Sequence, residues 1–128
     1  MATGFPASTG DVLSAAMFNG LVTFTINPQS GSTYTVANSD LYQALVQTTN
    51  ASTKTVTIAP DSTLTSAAVG SAITFINTGA GLLTFAAGSG VTIASAGAAP
   101  TAPTLAQYKS AVAIRTAANT WIISGAIA

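Results

Sequence analysis

The chain has 128 residues, enough for one domain that buries about two thirds of its unfolded surface. Only 5% of those residues are charged, Lys+Arg 3 against Asp+Glu 3, where an ordinary soluble domain carries about a quarter. That balance excludes the basic stripe nucleic acid requires and the attraction to an anionic membrane, and the absence of Cys and His excludes disulfides, thiolate chemistry, ordinary zinc sites and the Ser-His-Asp or Cys-His triads.

Met1–Gly20 carries Gly4, Pro6 and Gly10, which break regular structure. Ser14 is placed to cap a short helical turn that Asn19-Gly20 stops. No basic region precedes Lys54, so no signal peptide is expected. Phe5, Leu13, Met17 and Phe18 make this arm too apolar for a solvated tail. Two readings stand: a strap over the protein's own core, or an anchor on a neighbouring subunit or a larger shell. The second sets the expectation, because several anchors docking together offset the cost of ordering the segment. The domain division is residues 1–20 for the arm and 21–128 for a β-domain.

Leu21–Ile26 alternates apolar and Thr positions and predicts a strand, followed by a loop over Asn27–Gly31. Tyr34–Val36 predicts a short strand and Asn38–Asp40 a turn. Gln43–Thr48 is an extended candidate, with a helical turn over Leu41–Val46 as the alternative. Thr53–Ala59 alternates with Val56 and Ile58 inward, and Pro60 ends it. Ser71–Ser95 contains three apolar runs separated by Gly79-Ala80-Gly81 and Gly88-Ser89-Gly90. Glycines there suit tight reversals, so the stretch predicts an antiparallel three-stranded meander. Ala96–Gln107, with Pro100 and Pro103, predicts a surface excursion without a packed element. Ser110–Thr116 and Thr120–Ser124 close the chain as strands. The expected core is Phe24, Val56, Ile58, Ile73, Phe75, Leu83, Phe85, Val91, Ile93, Val112, Ile114, Trp121 and Ile123. The fold class is all-β, a small sandwich or jelly-roll-like barrel of short antiparallel strands.

Little chemistry is on offer. Asp11, Asp40 and Asp61 are far apart in sequence, so no paired-acid site is expected, and the chain is read as no enzyme. Asn38-Ser39-Asp40 supplies too few carboxylates for calcium and reads as a self-bonded turn. Gly79-Ala80-Gly81 joins strands and leads no helix, so it is no dinucleotide fingerprint. No metal or cofactor is expected. Tyr34, Tyr42 and Tyr108 are candidate surface-contact aromatics.

The ordered set TVTIAP, GSAITFINTGAGLLTFAAGSGVTIAS, a proline-bearing excursion and AQYKSAVAIRTAANTWIISGAI resembles a module of tailed-bacteriophage virion structural proteins. The matching pieces are Val56–Pro60, Gly70–Phe85, Gly90–Ile93, Ala111–Thr116 and Trp121–Gly125, within about Tyr34–Ala128. The resemblance implies a homotrimeric capsid decoration (cement) protein, made in the host cytoplasm and bound to the major capsid protein on the outer capsid surface. Its partners are other copies and the capsid, with no nucleic acid or membrane. The alternative it implies is a receptor- or glycan-binding tip of a tail or head fibre. The module stands almost alone behind a short arm here, which favours decoration over a fibre tip.

Overall fold

The computed structural model describes Ala15, residues 23–41 and residues 44–128. The expected arm, with Phe5, Leu13, Met17 and Phe18, therefore lies outside the described residues apart from Ala15, and so does Tyr42. The described elements in chain order are β1 (Thr25–Gln29), β2 (Thr33–Thr35), a 3-10 turn (Asn38–Asp40), β3 (Ala44–Thr48), β4 (Lys54–Ile58) and β5 (Ala72–Asn77). Then come β6 (Leu83–Ala87), β7 (Thr92–Ser95), β8 (Thr104–Leu105), β9 (Lys109–Ala117) and β10 (Thr120–Gly125). A six-stranded sheet, ordered β1-β3-β5-β9-β10-β7, faces a four-stranded sheet, ordered β2-β4-β6-β8. The fold is all-β and sandwich-like.

Its strand pairing differs from the antiparallel expectation. β1–β3, β3–β5, β2–β4, β4–β6 and β7–β10 are parallel. Antiparallel pairing is confined to β5–β9, β9–β10 and β6–β8. Consecutive strands β1/β2, β3/β4 and β5/β6 lie in opposite sheets, so the chain winds as stacked coils. The expected meander is corrected accordingly: β5 and β6 do not pair, and β7 joins β10 instead. The glycines explain the difference. Gly79 and Gly81 are not at positive φ; they let one coil's corner stack on the corner before it. A Cβ at Gly81 would stand 1.7 Å from the Ser52 carbonyl oxygen, and one at Gly79 would stand 2.2 Å from that of Asn50. Thr78 N–H and Gly79 N–H donate to Thr48 O, and Gly81 N–H donates to Asn50 O. Buried Asn77 completes the corner, donating to Gly81 O and Leu105 O and accepting from Thr48 Oγ1 and Gly79 N–H.

Inward residues from both sheets form one core, where Phe75 meets Phe85 edge-to-face at 5.0 Å between ring centres. Val56, Ile58, Ile73, Leu83, Ile93, Trp121 and Ile123 are buried there as expected, with Val91 partly buried against them. Three expected core residues are not. Phe24 is about half exposed, ahead of β1. Val112 and Ile114 are only partly buried, on the outer side of β9, and Ala111 and Ala113 point inward instead. Neighbouring strands supply the reason. Ala113 lies between Ile73 and Ile123, and Ala111 lies beside Phe75, so small residues are what the middle of that layer admits.

Two boundaries also move. β1 begins later than the expected Leu21–Ile26 strand, and it runs through Pro28, inside the expected Asn27–Gly31 loop. An edge strand tolerates proline because one side of its ladder has no partner. Within the excursion, Pro103 and Leu105 are buried and β8 pairs with β6. A packed element does form there.

Candidate functional site

Five of the described residues carry charge, and four of these spend it inside the fold. Asp40 is buried. Its Oδ2 accepts from the Tyr34 hydroxyl at 2.5 Å and from Ala37 N–H at 3.0 Å, while its Oδ1 accepts from Asn27 Nδ2 at 2.9 Å. Asn27 Nδ2 also donates to Tyr34 Oη at 2.9 Å, and Gln29 Nε2 donates to Asn27 Oδ1 at 2.8 Å. Burial, and then the Asp40 carboxylate, pushes the Tyr34 phenol well above its ordinary value. These groups line a cavity of about 360 Å³. Asn27, Tyr34 and Asp40 answer one another there, which makes the cluster a lock between β1, β2 and the 3-10 turn.

Asp61 and Arg115 form a two-pronged ion pair, with Arg115 Nη2 donating to Asp61 Oδ2 at 2.7 Å and Nε to Oδ1 at 3.1 Å. Asn119 N–H also donates to Asp61 Oδ2, at 3.0 Å, and Asp61 N–H donates to Asn119 Oδ1 at 2.8 Å. The latch ties the loop after β4 to the β9–β10 turn. Its guanidinium holds the Asp61 carboxyl below the usual carboxylate range. Lys54 is buried, its Nζ donates to Gly31 O, and burial pushes the ammonium down. Among the described residues, Lys109 is the charged side chain left on an exposed position.

Asp40 and Asp61 thus sit in separate networks. Among the described residues no three His, Cys, Asp or Glu side chains stand close enough to hold a metal ion. The candidate aromatics part company as well. Tyr34 is tied to Asp40, whereas Tyr108 is 76% exposed in the turn before β9 with φ 62°. The cavity beside Tyr34 does not include Tyr108.

What remains on the surface is two uncharged sheet faces. Outward residues of the four-stranded sheet fall in register as Thr33–Thr55–Thr84–Thr104 and Thr35–Thr57–Ala86. The outer face of the six-stranded sheet is mostly apolar, with Thr74, Ser124, Gln47 and Ser110 as its polar members. One row runs Ala72–Ile114–Ile122–Ala94. The next runs Ile26–Leu45–Thr74–Val112–Ser124, and the third runs Pro28–Gln47–Ile76–Ser110. At the β7 edge, Ala94, Ala96, Ile122, Ser124 and Ile127 line a groove of about 550 Å³. Among the described residues, no charged residue falls in these rows.

The sequence reading did not pick out this face, although a signal for it exists. β9 is apolar in both phases over Ala111–Ile114, and β10 is apolar over Trp121–Ile123. Strands that are apolar in both phases are those covered on both sides. No protein-family model matches the chain, and neither does any characterised protein or solved structure.

Proposed function

We propose that the chain is a structural, adhesive subunit: a decoration (cement) protein on the outer capsid surface of a tailed phage, bound to the major capsid protein and to copies of itself. The observation that carries this reading is the internal use of charge. Asp40, Lys54, Asp61 and Arg115 hold the fold together, and broad uncharged faces are left for contact. A protein built this way has few groups for catalysis and much surface for adhesion. Its mechanism is added buried interface, so that expanding or rupturing the shell must break more contacts. Contacts without ion pairs make attachment insensitive to salt. In this reading Phe5, Leu13, Met17 and Phe18 supply shell anchors whose weak individual affinity is multiplied by avidity.

The runner-up, a receptor- or glycan-binding tip of a tail or head fibre, needs aromatics that converge in a solvent-facing groove. Tyr34 is engaged by Asp40, and Tyr108 stands apart from that cavity, so the shell reading is preferred. Cryo-electron microscopy of the particle decides between them. Density for the chain over the shell, with a lower rupture temperature in particles lacking it, supports decoration. Density at a fibre end, or particles equally stable without the protein, overturns it.

A further inference from the structure

We propose that two copies of this chain pair face to face through the outer side of the six-stranded sheet. Ile26, Leu45, Ile76, Val112, Ile114 and Ile122 lie on that side, with Ile26 49% and Ile122 42% exposed. Isolated surface isoleucines need no explanation, but a mostly apolar patch whose large side chains come from five adjacent strands does. Six strands spaced ~4.8 Å apart, with three rows of side chains, present roughly 400–500 Å² in projection. Covering that area on both partners removes on the order of 1,000 Å² from water, at the lower bound for a specific interface.

The geometry selects a second copy as the occupant. β1 and β7 are opposite edges of the sheet. Exposed Ile26 projects at the β1 edge, and the groove beside Ile122 and Ala94 opens at the β7 edge. A two-fold axis parallel to the strands, passing between β5 and β9, lays the β1 edge of each copy over the β7 edge of the other. Each projection then meets a groove, which is the self-complementarity an isologous contact requires. Stacked sheets lie ~10 Å apart in such packings. The rows carry no charge and the chain is neutral, so identical faces meet without repulsion. Three copies around an axis would cover a flat face only in part, so this pairing departs from the three-fold symmetry implied by the phage resemblance. It concerns the free protein and holds wherever the chain is deployed.

The test is the mass of the full chain in solution by sedimentation equilibrium, with variants on each face. The wild type should sediment at twice 12.6 kDa. Ile122→Lys should sediment as a monomer up to ~100 µM, because it puts an unpaired charge into the contact. Thr35→Lys, on the outer side of the four-stranded sheet, should stay paired. Circular dichroism matching the wild type shows that each variant is folded. Should Ile122→Lys fail to fold, Ala94→Lys, its exposed register partner on β7, offers a second route and should likewise sediment as a monomer. A wild-type monomer, a trimer unaffected by Ile122→Lys, or a folded Ile122→Lys or Ala94→Lys chain that stays paired would each overturn the assignment.

Discussion

Truncating Trp121 tests the core most sharply. The indole is fully buried on β10, its register partners are Ile93 on β7 and Arg115 on β9, and the chain has no other tryptophan. Trp121→Ala removes the largest side chain of the core and leaves a cavity between two sheets that cannot close over it. Losses of this kind run to ~3–5 kcal/mol, a large part of the ~5–15 kcal/mol that holds a domain folded. For a domain of this size, that lowers the melting temperature by roughly 12–25 °C. One feature reduces the cost of a gentler change. Nε1 of Trp121 is a buried donor without an acceptor, a defect costing ~1–3 kcal/mol. Trp121→Phe removes that orphan donor along with part of the ring, so its two effects oppose each other and the net change should stay within ~1.5 kcal/mol. Differential scanning calorimetry of both variants reads the outcome directly. An alanine variant melting within about 4 °C of wild type, or a phenylalanine variant as damaged as the alanine one, would refute the account of Trp121 as core filler with an unmet donor.

Other expectations follow from the corners and the ion pair. Gly81→Ala should destabilise by ~3 kcal/mol or more in urea melts, since its Cβ would collide with backbone at Ser52, while Gly70→Ala, with φ +92° and open space, should cost only ~1 kcal/mol. The lowered Asp61 pKa means that the folded state binds its proton less readily than the unfolded chain does. Stability from the pair is complete above pH ~4 and is lost as pH falls through the folded pKa. Melting temperatures measured from pH 2 to 6 should drop on the acid side for wild type, and the Asp61→Asn variant should show a flatter acid limb. With no histidine, the profile should stay level from about pH 5 to 9. Deleting residues 2–19 should leave the β-domain folded by circular dichroism while reducing capsid occupancy; equal occupancy would place the adhesion in the β-domain alone.

Period-two patterning located the strands well wherever one phase held all the bulk. Ile73 and Phe75 stand against Ala72 and Thr74, and burial follows that contrast. The method failed on β9, where both phases are apolar and size, not polarity, decides which points inward. Strand partners were not legible at all. A glycine pair between two apolar runs has the same composition in a hairpin turn as in a coil corner. Only the carbonyls of Asn50 and Ser52, a coil away, distinguish the two cases. Pro28 misled because loop chemistry and edge-strand chemistry share that residue. Tyr34 was legible as an aromatic in a short strand, but its bond to Asp40 depends on how the 3-10 turn folds back on β2. The apolar outer face was written in the two-phase runs of β9 and β10, and needed the strand order to become a surface.

The stacked coils also bear on how the chain is made. Among the described residues, β9 and β10 are the one pair joined by a tight local turn, with Asn119 at φ 48°. Nearly every other pairing joins segments far apart in sequence, and such contacts must meet the entropy of loop closure before they stabilise anything. β5 couples the two regimes, with parallel β3 on one side and antiparallel β9 on the other. On the ribosome the coils built on β1 to β6 emerge first, yet β5 has no second neighbour until β9 has left the exit tunnel. Trp121, the largest buried side chain among the described residues, arrives later still, on β10. A nascent chain therefore exposes Phe75 and the edge of β5 until β9 has emerged. A chain broken off before β9 keeps them exposed, which makes it a substrate for proteases and aggregation, and the arrival of β9 closes that edge.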